Sequence, residues 1–320
     1  MRTTLLDLYN FGQFALVEAV ARLPSAELRR AVIDALALTA YRLSHEKRRL
    51  IEQNISIAFA GSIDPSKTRR ITLGCFREFW QEMVDWVPAV GDRLPAREIE
   101  IRGLEYLQQA LTRGKGAILW ESNGFSRRVQ AKRALHAHGM KLHQTHGETH
   151  LGVMLSPPCE GTWLRERILR PAYERRESAF VAETLIIPLR IGIASGRGYA
   201  KRLRRNAILC MAGDGRIAAK LYPVAFLGQT VAFAPGAVKL AQLVGAPLLP
   251  MFWAPAVDAP PTLEIEGPII PDPANCGDAV VVDCLQRFAD ALAARVMRWP
   301  EAYRNWHLIS GDAINRSAEC

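Results

Sequence analysis

Apolar and polar positions along this chain change their period near residue 90. Through residues 1–90 apolar side chains recur at spacings of three and four, the helical period, with breaks at Pro24, Gly61-Ser62 and Pro65. Asp64-Pro65-Ser66-Lys67 reads as a helix start, because a short acidic side chain can cap the first turn and a proline there loses no helical hydrogen bond. Pro88 to Pro95 reads as a loop and a boundary. Beyond it the runs are short and extended in character: Ile99-Glu100-Ile101, Ala117 to Trp120, Lys141-Leu142-His143, Leu185-Ile186-Ile187, Ala207 to Ala212, Leu248 to Trp253 and Leu263-Glu264-Ile265. Amphipathic segments fall between several of them, and residues 278–298 form the last such helix. The alternation predicts an α/β fold, a mixed, mostly parallel sheet flanked by helices, over residues 91–320, behind a helical region over 1–90.

Composition narrows the partners. The 320 residues, 49% of them hydrophobic, suffice for one large domain or a domain with a helical extension. Cys75, Cys159, Cys210, Cys276, Cys284 and Cys320 show no paired or zinc-type spacing and read as reduced thiols. A net charge of +9 calls for an anionic partner: lipid headgroups, an acidic carrier protein or coenzyme A. Nucleic acid ranks last, since no zinc finger, basic recognition helix or aromatic RNA-binding signature is present. No apolar run approaches the roughly 18 residues of a spanning helix, and Asp7 and Glu18 interrupt what a cleaved signal would keep apolar. Residues 4–21, with Leu5, Leu8, Tyr9, Phe11, Phe14, Leu16, Val17 and Val20, predict a largely apolar helix. It either lies in a membrane interface or packs on the protein's own core.

The chemistry concentrates where strands end. Gly114 to Trp120 leads through a turn into an apolar strand, and Glu121 to Arg128 is polar before the helical pattern Val129 to Leu135. The carboxyl end of such a strand is where α/β enzymes place reactive groups. Asn123 there can donate a hydrogen bond to an oxyanion but cannot take a proton, and Arg128 can hold a phosphate or carboxylate. Asp214 and Arg216 follow another apolar strand, and Gly213 and Gly215 beside Asp214 permit close approach of a ligand. Bases come from His143-Gln144-Thr145-His146-Gly147-Glu148-Thr149-His150, expected to follow the strand at Lys141-Leu142. His143 and Glu148 form a His-x4-Glu, although seven histidines and 32 acids in 320 residues give about 0.7 such spacings by chance, and His307 to Asp312 is another. Three histidines on one segment lack a fourth ligand, so no metal and no cofactor is expected. Lys201-Arg202-Leu203-Arg204-Arg205, and likewise Arg165, Arg167 and Arg170, read as solvated helix faces or as docking surfaces. Gly196-Arg197-Gly198 lacks the rest of a phosphate loop, and no Gly-x-Ser-x-Gly elbow exists.

Several blocks share an order with a known family. Glu52 to Phe59, Phe76-Arg77-Glu78-Phe79-Trp80 to Val84, Gly114 to Arg128, Ala212-Gly213-Asp214-Gly215 through Phe252, and Trp299 to His307 together span nearly the whole chain. In this order they resemble the lysophospholipid acyltransferase superfamily and, within it, the late acyltransferases of lipid A biosynthesis. The resemblance implies fatty acyl transfer from an acyl carrier protein or acyl-coenzyme A to a hydroxyl or amine of a lipid or related acceptor. It implies a peripheral or monotopic protein on the cytoplasmic face of the inner membrane. The family's base and orienting acid, a His-x4-Asp/Glu, fall here on Asn123 and Arg128. The implied site then has Asn123 and Arg128 as acceptor or oxyanion contacts, His143 or His146 with Glu148 as replacement base and acid, and Asp214 and Arg216 in the pocket. The rival expectation is a catalytically silent relative that binds lipid, acyl chains or a carrier protein as a scaffold.

Overall fold

The computed structural model describes residues 5–93, 95–125, 127–147, 163–187, 193–216, 218–255, 260–275 and 277–309. Two compact units are formed: Met1–Ala96 with Thr149–Ala179 and Glu301–Cys320, and Arg97–Glu148 with Phe180–Pro300. The second is α/β. Among the described residues its sheet has seven strands in the order β1-β9-β8-β2-β5-β3-β4, where β1 is Glu100–Arg102, β2 Ala117–Glu121, β3 Leu142–Gly147, β4 Glu183–Ile187, β5 Ile208–Ala212, β8 Leu248–Ala254 and β9 Thr262–Ile265. Neighbours run parallel except β8 and β9. The flanking helices are α6 (Leu104–Thr112), α7 (Arg128–Ala137), α9 (Ile193–Leu203), α10 (Gly236–Val244) and α11 (Asp278–Arg298).

The sheet's core follows from its composition. Every residue of β2 and of β8 is buried, as expected for strands covered on both faces. Trp120 on β2 meets Phe288 of α11 with ring centroids 4.6 Å apart, and Phe252 on β8 meets the same ring at 5.8 Å. Gly213, just past β5, lies so close that a Cβ there would stand 2.3 Å from the Phe288 ring. Each of the seven expected strands is present. The segment from His143 to Gly147, expected to follow the strand at Lys141-Leu142, is instead strand β3 itself. A hairpin of β6 (Tyr222–Phe226) and β7 (Gln229–Phe233) was not expected. Its two-residue turn, Leu227-Gly228, has positive φ at both positions, the primed-turn geometry that glycine and asparagine usually supply.

The other unit is helical: α1 (Leu5–Ala21), α2 (Ala26–Leu43), α3 (His45–Ala58), α4 (Pro65–Trp86), the four-residue α5 (Pro88–Gly91) inside the expected loop, and α8 (Arg170–Ser178). Asp64 caps α4 through an Oδ1 that accepts from Lys67 N at 2.9 Å. The closing segment is locked here: Asn54 Nδ2 donates to Trp306 O at 2.7 Å, with Asn54 and Trp306 fully buried. Arg304 pairs with the buried Glu82, and Arg176 donates to Trp86 O and, through two nitrogens, to Asp92. On α1, Val17, Val20 and Ala21 are buried, whereas Leu5, Leu8, Tyr9, Phe11 and Leu16 are exposed. Among the described residues no helix is long and apolar enough to cross a membrane.

Candidate functional site at the carboxyl end of the central strand

β2 ends in a charged residue. Glu121 pairs in register with Ala212 of β5 and Met251 of β8, its side chain only 3% exposed. The chain then turns through Ser122-Asn123-Gly124-Phe125 before α7, and one carboxylate organises that turn. Asp214 Oδ2 accepts from Ser122 Oγ at 2.7 Å, and its Oδ1 accepts from Asn123 N at 2.8 Å. Ser122 Oγ in turn accepts from Gly124 N at 3.2 Å. Gly213 N donates to Glu121 O at 2.7 Å, tying the β5 end to the β2 end. Phe125, buried, stacks on Trp299 at 6.2 Å and closes the apolar side. The turn is therefore clamped on both sides without a proline.

Asn123 and Arg128 meet across this turn: Arg128 Nη2 donates to Asn123 Oδ1 at 3.0 Å. Arg128 Nε also lies 3.9 Å from Glu121 Oε2. Lys132 follows Arg128 by one helical turn, on the same face, and is 1% exposed. Burial pushes the Cys210 thiol up; Glu121 adds to that rise, and Lys132 and Arg128 oppose it.

Asn123, Arg128 and Asp214 are thus brought together. Arg216 is half-buried two residues past Asp214, on a segment pinned by Ala234 N donating to Gly215 O at 2.8 Å. His146, buried, comes two residues after the last β3 position paired with β5, and counting on in that register sets it level with Ala212 and so with Glu121. His143 is elsewhere. It pairs with Leu209, which pairs with Ile118, so it lies at the amino end of the strands, roughly 16 Å down the strand direction from Asn123. There its Nδ1 stands 3.3 Å from Glu183 Oε2. Glu148, His150 and Asp312 lie outside the described residues. Arg170 is occupied by Glu166 and Glu174 on its own helix face. Glu121 and Lys132 were not singled out in the sequence. The available signal was an acid closing an otherwise apolar strand, with two cations spaced by one helical turn after it.

Among the described residues no group of three His, Cys, Asp or Glu side chains converges as a metal site would require. Comparison with the described protein families finds no match, and comparison with curated proteins finds no significant relative.

Proposed function

We propose that this protein is an acyltransferase of the lysophospholipid acyltransferase type, with a non-standard site, moving a fatty acyl group from an acyl carrier protein or coenzyme A thioester to a hydroxyl or amine of a lipid or related acceptor. One observation carries the reading. The two positions that the resemblance aligns with a catalytic histidine and its acid, Asn123 and Arg128, are hydrogen-bonded neighbours in a clamped turn at the end of the central strand. In this reaction the acceptor's oxygen or nitrogen attacks the thioester carbonyl, the acceptor proton passes to a base, and the thiolate leaves. Arg128 fixes the Asn123 side chain by donating to its Oδ1, and an asparagine amide is a group that can donate to a developing oxyanion. Asn123 cannot take the proton. Glu121 and His146, buried at the same strand level, can. An amine acceptor asks least of that base, because the neutral amine is already nucleophilic. The exposed apolar residues of α1 support docking to a membrane surface, and the proposed location is the cytoplasmic face of the inner membrane.

A second reading, a silent binder of lipid, acyl chains or carrier protein, is favoured by one feature. Ser122, Asn123, Arg128 and Asp214 hydrogen-bond to one another, a self-sufficient arrangement. Mass spectrometry of the purified chain incubated with acyl carrier protein, acyl-coenzyme A and membrane extract separates the two. A new acylated species, lost in Asn123→Ala and in either Glu121→Gln or His146→Ala, supports the enzyme. Retained lipid with no acylated product from any donor would leave only the binder.

A further inference from the structure

We propose a second ligand site in the sheet unit, for a small phosphate ester of about nucleotide size, at the amino-terminal edge of the strands, away from the Asn123 turn. A cavity of about 540 Å³ opens there, between the starts of β3, β4 and β5 and the ends of α6, α7 and α9. Its apolar lining is Leu111, Met140 and Ile208; its cations are Lys141, Lys201, Arg202 and Arg205. Four cations face one carboxylate, Glu183, an excess of three positive charges. That carboxylate is already committed. Arg202 donates to it through Nε at 2.7 Å and through Nη2, and His143 Nδ1 lies 3.3 Å away. Glu183 therefore orients Arg202 and the imidazole, and the other three cations bring an unbalanced field to the cavity.

The ordinary explanation is that basic residues collect at a helix end to complement its dipole. It accounts for Lys201 and Arg202, which close α9. It does not account for Lys141, which arrives from the α7–β3 connection, or for the concavity. The wall between them is also built to hold its shape. Asn206 sits in the left-handed region at φ 63°; its Oδ1 accepts from Gly116 N at 2.9 Å and its Nδ2 donates to Leu111 O at 3.0 Å. Gly116 itself has φ 68°, and a Cβ there would stand 2.4 Å from Ala207 O. The volume lies within the roughly 300–1,000 Å³ of small-molecule sites. It exceeds the needs of a bare phosphate, so the apolar lining is read as holding an organic group and the cations a mono- or diphosphate.

The site stands independently of the acyl-transfer reading, and its test needs no turnover. Titration calorimetry of the full chain with ADP and with pyrophosphate is compared for the native protein, Lys141→Glu, Lys201→Glu and Arg205→Glu. All three positions are exposed, so folding is expected to survive, and a melt confirms it. Arg287→Glu, at an exposed α11 residue that does not line the cavity, is the control. The expected result is saturable ADP binding at one site, weakened about tenfold or more by each of the cavity reversals, unchanged by the control and reduced by salt. No saturable binding of either probe at millimolar concentration, or equal binding by the cavity variants, overturns the proposal. Vesicles of phosphatidylglycerol form the last arm: binding that the reversals abolish, with ADP ignored, replaces the small molecule with a lipid headgroup.

Discussion

Asp214 is the residue on which the candidate turn depends. Its carboxylate holds Ser122 Oγ and the Asn123 amide at once, and both donors are buried or half-buried. A hydrogen bond to a charged group is worth roughly 1.5–3 kcal/mol, and removing the acceptor leaves the donors unsatisfied. Asp214→Ala is therefore expected to lower stability by about 3 kcal/mol, read as a fall in the urea midpoint with an unchanged slope. Asp214→Asn keeps one acceptor oxygen and is expected to lose about half as much. Equal midpoints for all three proteins would remove Asp214 from the clamp. The residue was singled out in the sequence, but as a pocket contact beside glycines that admit a ligand, and its hold on the β2 turn was not legible there. Glu121 was not singled out, because a terminal acid on a strand usually reaches solvent, and only the Arg128 guanidinium beside it shows how this one is accommodated inside.

At the scale of elements, strands buried on both faces were easy to read and the outer hairpin was not. β2 up to its closing Glu121, and β8 throughout, are unbroken apolar runs, whereas β6 alternates buried and exposed residues and turns through Leu227, a residue that ordinarily avoids positive φ. The extension of β3 to Gly147 was hidden for a related reason. Gln144, Thr145 and His146 are polar yet buried; Thr145 Oγ1 donates to Cys210 O at 2.9 Å, so part of the strand's polarity is satisfied inside the sheet. Packing of elements also gives a test. In Gly213→Ala the new methyl meets the Phe288 ring, so α11 must shift or the β5 end must move. Overpacking of this kind costs about 1–3 kcal/mol. Because Asp214 follows directly, the variant is expected to melt lower and also to lose site function, whereas Gly213→Ala with Phe288→Leu recovers part of both. For α1, Leu5→Glu with Leu8→Glu is expected to leave the melt unchanged and to reduce co-sedimentation with anionic vesicles. Undiminished sedimentation would assign α1's outer face another role.

Across the whole molecule, stability is set against pH by buried neutral groups as much as by ion pairs. Burial pushes the Cys75 and Cys210 thiols far up, and the Cys284 thiol to about 11. A thiol with a raised value in the folded state contributes its full share below its ordinary value of 9.0. Above that the unfolded chain ionises first, so the contribution falls as pH rises, between about 9 and 11 for Cys284. Tyr41, raised by burial and then by Glu52, acts in the same sense at higher pH. Lys47, lowered by burial, acts oppositely, since its unfolded form holds the extra proton until its ordinary value of 10.5 is passed. At the acid limb Glu183, held low by Arg202, gives support that is present above its ordinary value of 4.5 and lost as pH falls through its folded value. These signs predict a stability plateau bounded by an acid and an alkaline fall. Urea midpoints between pH 4 and 11 for the native chain and Cys284→Ala isolate the thiol's share. The variant is expected to start lower, from the cavity left beside the α11 core, and to fall less steeply above pH 9. Iodoacetamide at pH 8 gives the companion readout: Cys75, Cys210 and Cys284 stay unmodified in the folded chain and react in urea. Prompt native-state labelling of Cys210 would mean that the paired ends of β2 and β5, where Glu121 stands, open to solvent.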